Sequence, residues 1–451
     1  MDDFFGILAG REGNACAGWR AGAAVAHAEL VLRVRAWTAL GRRMPGRQVA
    51  LFHDDSIEFA GALLGAWQAG KTVWLAGDTL PATCAGLGAH VDAFWGAFPA
   101  ACAPQLPTST DQCAEPWHEP APDFAALVLH TSGSTGAPKA IAKQMGQLTF
   151  ELAALEAQFG AQAGDAAVVA TVSHQHIYGL LFRVLWPLYA GRALSAHSAD
   201  QPENLAPALA LWPCVLVASP AHLKRLPAHL DWNGARRNLR AVFSSGGVLA
   251  PEAAMHAGAL LGQAPVEVYG SSETGGIAWR RDAQAPWQTL PGVAVRVDGG
   301  QLAVSSPQAG GGWLELADRA EVAVGGGFFL RGRSDRIVKI AEKRVSLEAI
   351  ETALCASGLA REARVVVVPG QRLAAFVAPT PAGHAVLADG GKLALNARLR
   401  SVLAGVVDAV ALPRRWRYLD QLPLNPQGKT SEAALLALLD SADSLAIHRR
   451  L

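Results

Sequence analysis

Five stretches of this 451-residue chain concentrate residue types that can hold and polarise phosphate or carboxylate oxygens. The first opens at Leu129 and runs through Thr131, Ser132, Gly133, Ser134, Thr135 and Gly136 to Lys139. Its glycines let the backbone turn sharply and approach a ligand, its hydroxyls add donors and its lysine adds a fixed charge. No Walker pattern fits Gly133, Gly136 and Lys139, so alone the stretch reads equally as a phosphate cradle or a surface turn. The second, Ser173 to Gly179, carries His174, His176 and Tyr178; for either histidine alone, a buried structural role is the plain alternative. The third is Ser244, Ser245, Gly246 and Gly247, a strand end whose glycines would let backbone lie flat against a planar ring. The fourth is Tyr269, Gly270, Ser271, Ser272 and Glu273, where the carboxylate is either a helix-capping partner or, beside a phosphate loop, a Mg²⁺ ligand. The fifth runs from Asp318 to Arg333 and Asp335, with Lys429 following far downstream; taken singly, Asp318 and Lys429 read as solvated surface charges.

The elements that must position these residues follow a repeating rhythm. Gln48 to Phe52 and Thr72 to Leu75 read as strands, with Ser56 to Gln68 as the helix between them. The apolar run Phe124 to Leu129 feeds the first stretch, and a helix-like segment follows from about Lys143, giving the order strand, loop, helix. Leu148, Leu152, Leu155 and Phe159 lie on one face of that helix. Further strands are expected at Ala167 to Val172, Cys214 to Ala218, Ala241 to Phe243 and Val266 to Tyr269. Helices are expected at Ile177 to Tyr189, Ala221 to Leu226 and Pro251 to Leu261. Such alternation predicts an α/β domain of layered, largely parallel sheets, whose ligands sit at the carboxyl ends of strands. From Val293 short alternating stretches predict a small antiparallel β unit. Beyond Arg333 the pattern is compact α+β. The expected division is a large domain over residues 1–333 and a small, mobile one over 334–451.

Bulk properties exclude several classes. Hydrophobic residues are 51% and charged ones 17%, well inside the globular range. Lys plus Arg number 39 against 38 for Asp plus Glu, so no basic excess is available for nucleic acid. The six cysteines form no C-x-x-C pair and none has histidine at zinc spacing. The N-terminus lacks the order of a signal peptide, and no apolar run is long enough to span a bilayer, so a cytoplasmic protein without a membrane span is expected.

In this order the five stretches resemble the adenylate-forming superfamily: acyl-CoA synthetases, aryl-acid ligases, nonribosomal-peptide adenylation domains and luciferases. The resemblance spans about residues 120 to 430. It implies a two-step ligase. A small carboxylic acid attacks the α-phosphate of ATP to give an acyl-adenylate and pyrophosphate; a thiol of CoA, or of the phosphopantetheine on an acyl carrier protein, then takes the acyl group and releases AMP. It further implies that Thr131 to Lys139 hold the β- and γ-phosphates, and that Thr135 and Glu273 handle phosphate and Mg²⁺. Gly246, Gly247 and Tyr269 would form the adenine platform, with Gly270, Ser271 and Ser272 beside it. Asp318 would accept the ribose hydroxyls, assisted by Arg333. Asp335 would be the hinge, and Lys429 would reach the α-phosphate and the acid carboxylate, near which His176 would sit. The chemistry agrees with this allocation. Two anions must meet and charge grows on the phosphoryl oxygens, so a preorganised cation and Mg²⁺ are the remedy; removing one such group typically costs ~2.7–4 kcal/mol.

The sequence departs from the family in places. The chain is short ahead of residue 120, Ser272 replaces a threonine, Ala140 replaces a glycine, and Leu316–Ala317 replace Thr-Gly before Asp318. Glu342 stands where the family has glycine in the loop lining the pantetheine tunnel. It would narrow the tunnel or repel the phosphates of free CoA, favouring a carrier-protein thiol, though a simple loop variant reads equally well. This and the short length look like stand-alone ligases that prime carrier proteins in aryl-polyene pathways. The second stretch carries no carboxylate to bind an ammonium, which disfavours an amino acid. A pocket drawn from His176, Tyr178, Ser244 and Ser245 suits an aryl acid, with a short or medium fatty acid nearly as good. A non-catalytic nucleotide-binding relative is disfavoured by the retained Glu273, Asp318, Arg333 and Lys429.

Overall fold

A computed structural model describes residues 3–108, 110–132, 138–340, 343–370, 372–424 and 430–447. Its largest sheet has nine strands. Four of them, Ala167–Ala170, Cys214–Ala218, Leu239–Ser244 and Val266–Ser271, lie side by side and parallel. Their runs of Val, Leu and Ala are buried on both faces, as parallel strands covered by helices must be. Gly275–Arg280 turns back antiparallel on Val266–Ser271. The opposite edge is built by Leu194–Ser195, Cys16–Arg20 and Ala23–Ala26.

A second, five-stranded sheet is ordered Ala93–Gly96, Gln48–Phe52, Thr72–Leu75, Ala125–Ser132, Pro138–Gln144. The helix Ser56–Gln68 packs with both sheets in one apolar core, and every residue in it except Glu58 is buried. A helix apolar all round belongs in a core. Its start is set by Asp55, whose carboxylate accepts from Ile57 N at 2.8 Å and Glu58 N at 3.0 Å. Helix His27–Arg43 crosses it closely at Gly65, where a Cβ would stand 2.5 Å from Trp37 Cβ.

The strand, loop, helix order expected around Lys139 is corrected. Pro138–Gln144 is a strand antiparallel to Ala125–Ser132, pairing Thr131 with Lys139, and the helix starts only at Met145. The alternation Ala140, Ile141, Ala142 suits the pleat better than a helix turn, and Pro138, without an N–H, stands at the strand's first position. The two strands flanking the loop are therefore hydrogen-bonded to each other. The helix expected over Ile177 to Tyr189 forms, but with a wide turn over Leu180–Leu185, where Trp186 N bonds back to Leu181 O. Pro187 follows directly; a proline lacks the N–H and crowds the carbonyl four residues back, a known cause of such widening.

Trp313–Val322 and Phe328–Arg333 belong to the expected antiparallel unit, of four strands. The large core ends with residues such as Phe328, and from Val338 onward the chain builds its own, around Ile350, Leu354, Val365 and Leu399. Lys224 Nζ meets Glu362 Oε1 at 2.5 Å, tying the two parts together. All six cysteines are free thiols. No described helix is long and apolar enough to cross a membrane.

The N-terminal helix Phe4–Ala9 carries a titratable clamp. Asp3 accepts from Gly6 N at 3.0 Å and Glu119 from Phe5 N at 2.9 Å, so two carboxyls share one helix start. Burial, then the hydrogen bond to Asp3, pushes Glu119 from its ordinary 4.5 to about 7. The folded chain thus keeps this proton to higher pH than the unfolded one. The resulting stability is full below pH 4.5 and is lost as pH rises through about 7. In Glu119→Gln the decline over that window should be absent. Melting temperatures measured from pH 4 to pH 9 would check this, and parallel curves for the two proteins would refute it.

Candidate active site

The four parallel strands end on one rim. Ser173, Gln175 and His176 follow Ala167–Ala170, and Ser219 and His222 follow Cys214–Ala218. Ser245 and Gly246 follow Leu239–Ser244, and Gly270 and Ser271 end Val266–Ser271. All of them line a single cleft of ≈ 220 Å³. At about 4.8 Å per strand the rim spans roughly 14 Å. Leu129, Val172, Ile177, Leu181, Phe182 and Val268 supply its apolar walls. This is the carboxyl-end crevice that open α/β sheets use for ligands.

The turn bearing Glu273 is held from below. Ser271 and Thr274 exchange hydroxyl and backbone bonds of 3.1 to 3.2 Å. Gly270 has room for nothing larger, since a Cβ would meet Gly275 O at 2.3 Å. Lys143, buried, donates to Glu273 O at 2.8 Å and Gln308 O at 3.1 Å. Glu151, buried beside it, accepts from Gly276 N at 2.6 Å. Burial lowers the Lys143 pKa and raises that of Glu151, and each opposes the other's shift by attraction. Lys143→Met should leave two buried carbonyls without a donor and cost about 1–3 kcal/mol. A urea midpoint lowered at unchanged slope would report that, together with slowed acid-dependent exchange as the Glu273 turn loosens; an unchanged midpoint would show the lysine to be dispensable.

Asp318 and Arg333 are cross-strand partners, with Arg333 Nη1 3.1 Å from Asp318 Oδ2. The guanidinium also forks onto Asp335, Nε to Oδ1 at 2.9 Å and Nη2 to Oδ2 at 2.6 Å. Burial raises the Asp318 pKa, while Arg333 and a hydrogen bond from Tyr269 pull it back. The Asp335 carboxyl is held below its usual range by Arg333. Tyr269 packs on Trp287, ring centroids 5.6 Å apart, with its phenol proton held to higher pH by burial and by Asp318. Residues far apart in sequence thus form one connected charge group.

Of the second stretch, His174 is a core residue. Its Nε2 bonds His53 O at 2.8 Å, Phe59 packs on the ring, and burial drives its pKa far down. His176 lines the cleft. Tyr178 spends its hydroxyl on Ala218 O at 3.2 Å, Ser245 spends its own on Val268 O at 2.8 Å, and Ser244 lies behind the rim. Gly246 has φ +88°, open only to glycine at low cost, and lines the cleft; Gly247 follows it. Thr131, Ser132 and Lys139 are described in backbone only. Gly133, Ser134, Thr135, Gly136, Glu342 and Lys429 lie outside the described residues. Lys143, Glu151, Ser219 and His222 were not singled out from sequence. Glu151 had a signal: it lies three residues after Leu148 and four before Leu155, on the buried face of its helix.

Residues 94–321, half of the chain, match the family described as AMP-binding enzyme. A 4-coumarate–CoA ligase of Rhodobacter capsulatus is 34% identical over 314 residues, 69% of this chain and 76% of that protein. A 4-coumarate–CoA ligase of Cereibacter sphaeroides is 28% identical, covering 68% and 71%. Among solved structures, ATP-bound MatB from Rhodopseudomonas palustris superposes with a TM-score of 0.77 at 20% identity, covering 96% of this chain and 98% of the other. A benzoate CoA ligase from Burkholderia xenovorans gives 0.75 at 20% identity, covering 96% and 100%. These two establish the fold. The chain belongs to the AMP-binding enzyme family, and it is an AMP-forming acid–thiol ligase that activates a carboxylic acid with ATP and passes the acyl group to a thiol.

Proposed function

We propose that the acid is a small aryl acid and that the acceptor thiol is that of CoA. The observation that carries the reading is the cleft: six apolar side chains in its lining, and a position at the strand ends beside the Glu273 turn. A flat apolar acid fits such walls, and the relatives named for 4-coumarate support an aryl acid over a fatty one. Glu151, the carboxylate in the lining, is engaged by Gly276 N, which leaves an amino-acid ammonium without a dedicated partner.

Residue roles follow the same reading. The loop from Thr131 to Lys139 cradles the β- and γ-phosphates. Asp318 accepts the ribose hydroxyls while Arg333 keeps its carboxylate ionised against burial. Gly246, Gly247 and Tyr269 flank the base. Glu273, with Thr135, holds Mg²⁺. Among the described residues no cluster of three His, Cys, Asp or Glu side chains exists, and a single carboxylate completed by substrate phosphates and water is how Mg²⁺ is usually bound. When bound, the ion neutralises charge on the phosphate oxygens. The carboxylate of the acid is itself the nucleophile, so no general base is needed. Lys429 brings positive charge to the α-phosphate, and Asp335 turns a small domain, residues 334–451, between the two half-reactions. The separate core beyond Val338 supports that division.

A second reading of the acceptor, a carrier-protein phosphopantetheine, is favoured by Glu342, which stands in sequence where the family has glycine. The test is acid-dependent ATP–pyrophosphate exchange across aryl and fatty acids, then acyl transfer to CoA and to a phosphopantetheinylated carrier protein. Exchange confined to fatty acids would overturn the aryl assignment, and transfer only to the carrier would overturn CoA.

A further inference from the structure

Resting on the aryl-acid reading, we propose that His222, held by Ser219, is the specificity residue that recognises a hydroxyl on the ring of the acid. Ser219 occupies the cap position of the short helix Pro220–Leu223 but makes no side-chain capping bond. Its hydroxyl lies 2.8 Å from His222 Nδ1 instead. A serine that forgoes its usual local partner to hold an imidazole fixes that ring in one orientation. Both residues line the cleft, and among the described contacts the ring uses Nδ1 alone, leaving Nε2 for a ligand.

Several other polar groups in or behind these walls are engaged within the protein. Tyr178 donates to Ala218 O and Ser245 to Val268 O. Glu151 is engaged by Gly276 N, and His174 is enclosed by His53 and Phe59. His222 follows Cys214–Ala218, two strands from Val266–Ser271, where the Glu273 turn begins. That puts it about 10 Å across the sheet from the phosphate side. An acid with its carboxylate at the Glu273 turn therefore points its far end toward Ser219 and His222.

The chemistry selects a hydroxyl. Burial lowers the His222 pKa, with Asp200 partly opposing and Arg225 adding to the shift, so the ring is neutral at physiological pH. A neutral imidazole with Nδ1 bonded to a serine has two tautomers. If Ser219 donates, Nε2–H donates to the ligand; if Nδ1–H donates, Nε2 accepts. A hydroxyl, both donor and acceptor, satisfies either tautomer. A carboxylate satisfies only one, and an ammonium only the other. An acid lacking the hydroxyl leaves a buried ring nitrogen without a partner, which is the strongest form of discrimination such a pocket offers.

The experiment measures kcat/KM by pyrophosphate exchange for 4-hydroxycinnamate against cinnamate and 4-hydroxybenzoate against benzoate. In the wild-type chain the better hydroxylated acid should be preferred about tenfold or more. In His222→Leu that ratio should collapse toward one, mainly through KM for the hydroxylated acid, and His222→Gln, which keeps a donor and an acceptor, should restore part of it. If His222→Leu does not fold, Ser219→Ala carries the measurement, with a smaller loss of the same ratio. A wild-type ratio near one, or an unchanged ratio in His222→Leu, overturns the proposal. A wild-type enzyme that exchanges with no aryl acid overturns the aryl reading and this assignment together. That outcome is distinguishable because the unmutated chain is itself silent.

Discussion

In a Lys429→Ala variant, acid-dependent ATP–pyrophosphate exchange is expected to fall at least about a hundredfold, while conversion of a supplied acyl-adenylate to thioester persists. The asymmetry is electrostatic. Adenylation brings a carboxylate onto a phosphate while negative charge grows on the α-phosphoryl oxygens, and a cation placed there lowers that barrier directly. In thioester formation the adenylate is already made and AMP departs as an anion, so the same cation stabilises no comparable build-up. Lys139 belongs to the pyrophosphate side in this scheme, and Lys139→Ala should act mainly on KM for ATP. Equal loss of both half-reactions in Lys429→Ala would remove Lys429 from its proposed role, as would survival of both.

Asp318→Asn should raise KM for ATP about 10- to 100-fold, the range for losing a hydrogen bond to a charged acceptor. Arg333→Ala should act through the same carboxylate. Burial already pushes the Asp318 pKa up and Arg333 opposes that push, so removing the guanidinium lets the pKa rise further. In its proposed role the protonated carboxyl no longer accepts from both ribose hydroxyls. ATP affinity should therefore fall off at a higher pH in Arg333→Ala than in the wild type as pH is lowered. Asp335 also loses its forked partner in the same variant. The double variant should be far less than additive, because both changes empty one site. Additive losses, or a pH profile that does not move, would separate Arg333 from the ribose contact.

Much of the layered fold was legible because it is written locally. Strands Gln48–Phe52, Thr72–Leu75 and Cys214–Ala218 and helices Ser56–Gln68 and Pro251–Leu261 stand where their apolar periods place them. Elements whose formation depends on a partner strand were not legible. Cys16–Arg20 is a strand because it pairs with Leu194–Ser195, and Pro138–Gln144 because it pairs with Ala125–Ser132. Site residues divide the same way. Asp318 and Arg333 were visible as motif residues, but that Arg333 bridges Asp318 and Asp335 follows from strand register.

What the sequence by itself determined is the reaction class and the order of parts: a Gly/Ser/Thr-rich loop with Lys139, a Glu273 turn and an Asp318–Arg333 pair on an α/β frame, since each is carried by residue type within a short span. Only the tertiary structure decided which polar groups remain available for a substrate. It consumed Tyr178, Ser245 and His174 in bonds to Ala218, Val268 and His53, put Lys143 beneath Glu273, and left His222 in the cleft. The physical reason is that a hydrogen bond between residues up to 130 positions apart leaves no local trace in either stretch.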